Sequence, residues 1–389
     1  MSLKKIAMNL SAEALMGSER LLRGNRLTPR PDDANSVLIL EYMLPLGCCV
    51  HLTPVYEAIK QARPNTTITV ATRGLGAALL RHNPFIDHLI QTPDPLTDLS
   101  GAVRSLSRSL ARRNLRPTCC LTGASDQRTR IALLGLLAGA GWRGGFTQSP
   151  RLYQRPLQYQ PDRSLIHNNL QLLSLLGIPQ QHFEPRVFFS PADIATAADH
   201  ARAANPEGKP LLVMVTQNSG GQATGWHVER FAKVIRHAHD ALGCAIIFAG
   251  TASDFQAIEQ IRRTTEEIGT SLAGQTSVTQ LAALLALSDA VVSLDTGTMH
   301  VGRAVGTPMV VIGPSWQRPI EWLPLDLPNV RILRGPDRND IPKGYRLDEV
   351  QATDVISALE DLLTTYPPNL TSRANRLDAN TSFFDHQAQ

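Results

Sequence analysis

The sequence has few of the features that mark membrane, metal and nucleic-acid-binding proteins. None of its apolar runs approaches the roughly 18 residues that a membrane-spanning helix needs. Its five cysteines include two vicinal pairs but no CxxC or zinc-finger spacing, and no other usual metal spacing occurs, so no metal site is predicted. Aromatic residues make up only 5% of the chain and no nucleic-acid-binding motif is present, which argues against a nucleic-acid partner.

The sequence also lacks a pattern typical of export. Lys4 and Lys5 are not followed by the uninterrupted apolar core that a secretory signal requires, so a cytoplasmic protein is predicted. An odd number of cysteines in such a chain favours reduced thiols. The net charge is only +4, and 19% charged against 43% hydrophobic residues is ordinary for a soluble enzyme.

What the sequence does have is a long alternation of apolar strands and helical stretches, which predicts parallel sheets. A chain of 389 residues is too long for one ordinary core, so two α/β domains are expected. We divide the chain into a loosely attached N-terminal arm (1–35), a first domain (36–185), a second domain ending in a helix (186–366) and a flexible tail (367–389).

The most informative stretch runs from 290 to 313. Its apolar residues 290–294 predict a buried parallel strand, and Asp295 and Thr296 are good N-cap residues for a helix that follows. Gly297 permits close approach of backbone or ligand, and His300 lies near the opening of the helix. The free N–H groups of such a turn, at the carboxyl edge of a sheet, predict an anion site suited to a diphosphate.

A second polar loop is expected at the same kind of edge. The predicted strand 211–215 is followed by Thr216, Gln217 and Asn218 and then by glycines, which makes this loop a second candidate for holding the ligand.

Every basic residue from 104 to 163 is an arginine. Arg104, Arg108 and Arg112 share one face of a predicted helix and are best interpreted as a solvated surface. Four others are placed on loops, where they either bind an acidic acceptor or are plain surface residues. These four are Arg128, Arg143, Arg151 and Arg155.

Several motifs together resemble the heptosyltransferase family, glycosyltransferase family 9. The resemblance rests on Asp-Thr-Gly-Thr-Met-His at 295–300, Gly-Thr-Pro at 306–308, Gly-Pro-Ser at 313–315 and Trp-x-x-Glu-Arg-Phe at 226–231. It implies a GT-B fold, in which two Rossmann-like domains with parallel sheets face each other across a cleft. In that family the Asp-Thr-Gly-x-x-His turn binds the diphosphate of an ADP-sugar, so Thr298 joins the candidate donor residues.

The resemblance also implies the reaction and its partners. The expected activity is inverting, metal-independent transfer of heptose or a related sugar from a nucleotide diphosphate donor to a lipopolysaccharide or other glycan acceptor. The expected donor is ADP-heptose. No cofactor besides this donor is expected. The acceptor would bind the first domain, and the protein could make peripheral contact with the cytoplasmic face of the inner membrane.

Two positions depart from the family pattern. Relatives have an aspartate after the first-domain glycine, thought to be the base, whereas Cys48 follows Gly47 here. A thiol is a poor base for a sugar hydroxyl, so His51 is a substitute candidate and Glu41 another. Relatives also carry a lysine or arginine just before the tryptophan of the Trp-x-x-Glu-Arg-Phe segment, where this chain has only neutral residues, at 224 and 225.

These departures keep other functions open. A degenerate family member that binds a nucleotide or a glycan without turnover is the main alternative, and the missing aspartate and cation support it. A sugar-nucleotide epimerase of the same fold is a further alternative, disfavoured by the Asp295–His300 turn and by the Gly-x-x-x-x-x-Thr-Pro segment that begins at Gly47.

Overall fold

The first sheet is built around a strand of four consecutive buried apolar residues, Val37 to Leu40. An unbroken apolar run of this kind suits a strand that is covered by helices on both faces. The computed structural model describes residues 16–19, 21, 34–43, 45–218 and 225–386, and all statements below concern these ranges.

The first domain alternates strands and helices. Its elements are β1 (Ser36–Leu40), α1 (Leu46–Ala62), β2 (Thr67–Thr72), α2 (Gly74–Leu80), β3 (His88–Gln91), α3 (Leu99–Arg112), β4 (Cys119–Thr122), α4 (Thr129–Leu137), β5 (Trp142–Phe146), a 3-10 helix (Pro150–Leu152), β6 (Arg155–Leu157), α5 (Leu165–Leu170) and α6 (Leu172–Leu175). The six strands are parallel, in the order β3-β2-β1-β4-β5-β6.

The second domain repeats this plan. Its elements are α7 (Pro191–Ala204), β7 (Leu211–Val215), α8 (Val228–Asp240), β8 (Ala245–Phe248), a 3-10 helix (Ala252–Asp254), α9 (Phe255–Arg263), β9 (Thr270–Ser271), α10 (Val278–Leu287), β10 (Ala290–Leu294), α11 (Gly297–Val305), β11 (Met309–Ile312), α12 (Pro319–Trp322), β12 (Val330–Leu333) and α13 (Ala352–Thr365). Its strands are also parallel, in the order β12-β11-β10-β7-β8-β9.

Both sheets therefore have the doubly wound order, and the prediction of two parallel α/β sheets is confirmed. In each sheet the winding reverses between two central neighbours, β1 and β4 in the first and β7 and β10 in the second. Ligands of such sheets bind outside the carboxyl ends of the strands at that reversal. The fold thus points to the loops after β1, β4, β7 and β10.

The interpretation of the C-terminus as a flexible tail is wrong for residues 370–386. Helix α14, Leu370–Asn380, docks on the second domain, where the Arg373 guanidinium pairs with the buried carboxylate of Asp289. The chain then crosses back to the first domain, and Asp385 pairs with Arg81 at 2.8 Å. This segment is held by contacts with residues far away in the chain, so its own polar sequence gave no local indication of them.

The N-terminal arm is docked where the structure describes it. Met16 and Glu19 are buried against the first domain, so the prediction of a loosely attached arm is wrong for this part of it. The other residues of the predicted arm, apart from Gly17, Ser18, Leu21 and 34–35, lie outside the described ranges. Within the described ranges no helix combines the length and apolarity needed to cross a membrane.

Candidate active site

The site begins where strand β10 ends. Asp295 and Thr296 are both buried, and helix α11 starts at Gly297. Thr296 is the N-cap, but its side chain makes no capping hydrogen bond, and its Oγ1 has no partner within the described residues. The first-turn N–H groups of α11 therefore have no side-chain acceptor from the cap. The helix ends at Gly306, whose φ of 77° is the left-handed conformation that glycine adopts readily.

A second helix N-terminus lies against the first. Helix α1 begins at Leu46 without a side-chain cap, and its first turn packs on the first turn of α11. Two glycines make this approach possible. A Cβ atom on Gly47 would lie 2.8 Å from His300 Nε2, and one on Gly297 would lie 2.7 Å from Leu46 Cβ. Each helix N-terminus carries a partial positive charge, so their meeting creates an electropositive point between the domains.

Two histidines from different domains meet at this point. The rings of His51 and His300 are 4.4 Å apart in an edge-to-face arrangement, and Trp322 stacks on His51 at 5.8 Å. Both histidines are buried, with 1% and 4% of their surface exposed. Within the described residues, three of their ring nitrogens have no hydrogen-bond partner: both nitrogens of His51 and Nδ1 of His300. A buried polar atom without a partner is unfavourable unless a ligand or water supplies one.

Burial also sets the charge of these groups. Desolvation lowers the pKa of His51 well below its usual value and that of His300 to about 3, so both imidazoles are neutral at neutral pH. Desolvation raises the pKa of Asp295 to about 6. His300 Nε2 is 3.9 Å from Asp295 Oδ1, but a neutral imidazole makes this a contact and not an ion pair. Each neutral ring retains one N–H that can donate to an anion.

The loop after β7 lies beside this turn. Val215, the last residue of β7, pairs with Ser293 of β10, which places Thr216 next to the end of β10. Thr216 is buried, and Gln217 and Asn218 are half-buried. The structure therefore brings the predicted residues of this loop to the same edge as Asp295. Position 224, where relatives carry a cation, lies outside the described residues.

The family model of glycosyltransferase family 9 (heptosyltransferase) matches residues 125–340, which is more than half of the chain. The chain belongs to glycosyltransferase family 9. Lipopolysaccharide heptosyltransferase 2 of Escherichia coli strain K12 is 23% identical to it over 274 residues, which cover 67% of this chain and 78% of that protein.

Solved structures confirm the GT-B fold. A family 9 glycosyltransferase of Veillonella parvula DSM 2008 superposes with a TM-score of 0.77 at 19% identity, covering 86% of this chain and 98% of its own. An E. coli heptosyltransferase with ADP-2-deoxy-2-fluoro heptose gives a TM-score of 0.63 at 16% identity, covering 84% and 99%.

At the position of the family aspartate, Cys48 is a buried thiol. It lies in the first turn of α1. Burial raises its pKa to about 11, so it is protonated at neutral pH. Glu41 is also buried, accepts a hydrogen bond from the Tyr56 hydroxyl and has its pKa raised by burial to about 8. With His51 also neutral and weakly basic, none of the three is well suited to take a proton.

The candidate site also contains residues that the sequence did not indicate. The segment after β11 reaches across to the first domain, where the Tyr159 hydroxyl donates to the Glu321 carboxylate and Arg318 donates to the Pro161 carbonyl at 3.2 Å. Glu321 is half-buried and close enough to Cys48 to affect its pKa. Gly-Pro-Ser at 313–315 was a sequence signal for the segment, but nothing local indicated which residue would cross the cleft.

Arg143 does not lie on a loop, as the sequence analysis had placed it. It lies in strand β5, is fully buried, and pairs through two nitrogens with the Glu19 carboxylate at 2.6 and 2.8 Å. A guanidinium so occupied attaches the N-terminal segment to the first domain and is not available to an acceptor.

The other three candidate acceptor arginines are exposed. Arg128 precedes α4, Arg151 lies in the 3-10 helix after β5, and Arg155 begins strand β6, so Arg155 is also not on a loop. Their acceptor role stays a prediction.

Proposed function

We propose that the chain transfers heptose or a related sugar from a nucleotide diphosphate donor, ADP-heptose in the first instance, to a lipopolysaccharide core or similar glycan. The observation that carries the proposal is the meeting of two uncapped helix N-termini beside unpartnered Thr296 Oγ1 and the unpartnered ring nitrogens of His51 and His300. This set offers hydrogen-bond donors and partial positive charge to an anion between the domains. It includes no lysine or arginine. The choice of donor and acceptor is supported by the similarity to a lipopolysaccharide heptosyltransferase and to a heptosyltransferase structure with ADP-2-deoxy-2-fluoro heptose.

In the proposed reaction the diphosphate is the leaving group. The acceptor oxygen bonds to the anomeric carbon on the face opposite the diphosphate, and the bond from that carbon to the phosphate oxygen breaks. The electron pair leaves with the diphosphate, which inverts the configuration of the sugar. The N–H groups of α11, the Thr296 hydroxyl and a neutral N–H of His300 stabilise the charge that develops on the phosphate oxygens.

The acceptor proton needs a base, and we assign this role to Glu321. The carboxylate is half-buried at the interdomain contact, beside Cys48, and its hydrogen bond from Tyr159 fixes its orientation. It belongs to the second domain and faces the first domain through its contact with Tyr159. In this reaction a carboxylate of the second domain takes the role of the aspartate that relatives have at the position of Cys48.

Transfer of labelled sugar from ADP-heptose to a heptose-deficient lipid A–core acceptor tests the proposal. A labelled product that depends on both substrates is expected. No product with any nucleotide sugar, together with saturable ADP binding, would contradict it.

That second outcome would instead support a nucleotide-binding protein without turnover. The observation in favour of this alternative is the protonated thiol of Cys48, which cannot act as the family base. If restoring the aspartate through Cys48→Asp gave no activity to a protein that binds donor, the alternative would be preferred.

A further inference from the structure

The polypeptide passes between the two domains twice, and the two passages lie side by side. The linker that leads into α7 and the segment that follows α14 are joined by backbone hydrogen bonds. Phe189 N–H donates to the Asn380 carbonyl at 3.1 Å, and Ser382 N–H donates to the Phe189 carbonyl at 2.9 Å. The Arg186 guanidinium also donates to the carbonyl of Ala379. Because the passages are joined, a change in the angle between the domains has to bend both of them together.

One buried histidine lies beside these passages. His82 follows α2 of the first domain and is 3% exposed. Its Nδ1 is 2.8 Å from the carbonyl oxygen of Phe384 in the C-terminal segment, and its Nε2 is 3.3 Å from Oδ2 of Asp193. Asp193 is also buried and lies in the first turn of α7, three residues after the N-cap Ser190. A single imidazole therefore links the first domain, the second domain and the C-terminal segment.

Both partners of this imidazole can only accept a hydrogen bond. Burial acts to raise the pKa of Asp193, but hydrogen bonds from His82 and Ser190 outweigh it and hold that pKa well below its usual value, so the carboxyl group is ionised. A neutral imidazole has one N–H, and only the imidazolium form can donate both to a carboxylate and to a carbonyl oxygen. Burial likewise opposes the charge on His82, but its bonds to Asp193 and Phe384 outweigh burial and raise its pKa above the usual value.

The other charges around the imidazole balance one another. Arg81 pairs with Asp385 at 2.8 Å, and burial lowers the pKa of His386 to about 4, so His386 is neutral at neutral pH. Helix α10 contributes the uncharged hydroxyl of Thr279, which hydrogen-bonds to Asp193. The titratable and charged groups that face the junction are Asp193 from α7, Asp385 and His386 from the C-terminal segment, Arg81 beside His82, and His88 of β3 through its effect on His386. The proton on His82 thus decides whether the buried Asp193 carboxylate keeps its paired cation.

We propose that His82 is a pH-dependent latch between the two domains. When it is protonated, it holds Asp193 and the Phe384 carbonyl at once and so fixes the angle between the domains. When it is neutral, it keeps one N–H, gives up one of these acceptors, and leaves the Asp193 carboxylate without its paired cation. Because the pKa of His82 is raised, this stabilisation is complete below about pH 6.5 and is lost as the pH rises through the folded value. None of these residues belongs to the candidate active site, so the latch is observable without a nucleotide sugar.

Single-molecule energy transfer between dyes on the two domains tests the latch in the full chain. The five native cysteines are buried, so dyes attach selectively at Ala111→Cys in α3 and Gln256→Cys in α9, two exposed positions of different domains. In this labelled protein, His82→Gln is compared with the unchanged His82 at about pH 6 and about pH 8.5. His239→Gln, which replaces an exposed histidine of α8, is the matched control. Thermal melting at both pH values verifies that each variant is folded.

The labelled protein with His82 and the control should give one narrow distribution of transfer efficiency at low pH and a broader or shifted one at high pH, with a midpoint above about pH 6.5. His82→Gln should give the high-pH distribution at both pH values. Glu41 and Asp126, whose pKa values burial raises to about 8 and about 7, titrate in the same range but are present in every variant. The proposal is overturned if the distribution of the protein with His82 does not change with pH, or if His82→Gln keeps the same change.

Asp193→Asn provides a second measurement that does not require His82→Gln to fold. It removes the charge opposite the imidazolium and keeps the size of the side chain, so the midpoint of the change should move to lower pH. An unchanged midpoint in folded Asp193→Asn would also overturn the latch, because a group other than His82 would then be responsible for the change.

Discussion

At the scale of single residues, the assignment of Glu321 as the base makes a direct kinetic prediction. Glu321→Gln should lower kcat by about 100- to 1,000-fold with little change in KM, because proton transfer occurs in the transition state and not in substrate binding. Glu360→Gln, on the surface of α13, is the matched control and should keep full activity. Steady-state kinetics with ADP-heptose measures both.

A rescue experiment separates a base from a structural residue. Adding Cys48→Asp to Glu321→Gln places a carboxylate at the position used by relatives and should recover part of the lost kcat. A Glu321→Gln variant with a kcat within twofold of the wild type would refute the assignment.

The buried pair of Arg143 and Glu19 predicts a large stability effect. Glu19→Ala leaves the guanidinium buried without its partner, which typically costs about 3–5 kcal/mol of unfolding free energy. The exposed pair of Arg202 and Asp199 is the comparison, and Asp199→Ala should cost less than about 1 kcal/mol. Urea unfolding measures both. Equal effects would mean that the N-terminal segment is not anchored by this pair.

The neutral His300 predicts a pH dependence of stability. Its folded pKa of about 3 lies below the unfolded value near 6.5, so between these values the unfolded state binds more protons and stability falls as pH falls. The raised pKa of Asp295 has the opposite effect on stability between about pH 6 and pH 3.8. Asp295 is present in both the wild type and the His300→Gln variant, so its effect is common to the two.

The His300→Gln variant should therefore lose about 2–3 kcal/mol less stability than the wild type between pH 6.5 and 4.5, from 1.36 kcal/mol per pH unit. His239→Gln, an exposed histidine of α8, should follow the wild type. Urea unfolding at pH 6.5 and pH 4.5 measures these differences in stability. Parallel curves for His300→Gln and the wild type would show that His300 is not held neutral.

At the scale of elements, the two glycines set the distance between α1 and α11. Gly47→Ala should push the first turns apart, costing about 1–3 kcal/mol of stability and weakening the donor site, since its Cβ meets the His300 ring. Gly17→Ala is the control, because a Cβ there meets nothing within 4 Å. Thermal unfolding and donor titration measure the two effects. Unchanged donor affinity in a folded Gly47→Ala protein would contradict the close approach.

The elements also show which parts of the structure were predictable. Strands β7 and β10 have the bounds that the sequence predicted, and α11 starts at its predicted N-cap, because these signals are local. Helix α14 was missed, since its arginines are held by Asp289 and by carbonyls about 90 positions earlier. Arg143 was misplaced for the same reason, because its partner Glu19 is 124 positions away.

At the scale of the whole molecule, the site exists only through the relative placement of the domains. His51 and Tyr159 come from the first domain, and His300 and Glu321 come from the second. Each domain alone was predictable from its alternating strands and helices. The meeting of the two helix N-termini was not, because no sequence pattern within one domain specifies which residue of the other it will face.

If the two helix N-termini hold the donor diphosphate, calorimetric titration of ADP-heptose detects that binding without turnover. The wild type and His239→Gln should bind with equal affinity, while Thr296→Val/His300→Ala should bind at least about tenfold more weakly, or ~1.4 kcal/mol. If the double variant binds ADP-heptose as tightly as the wild type, or the wild type does not bind it at all, the donor site does not lie at the two helix N-termini.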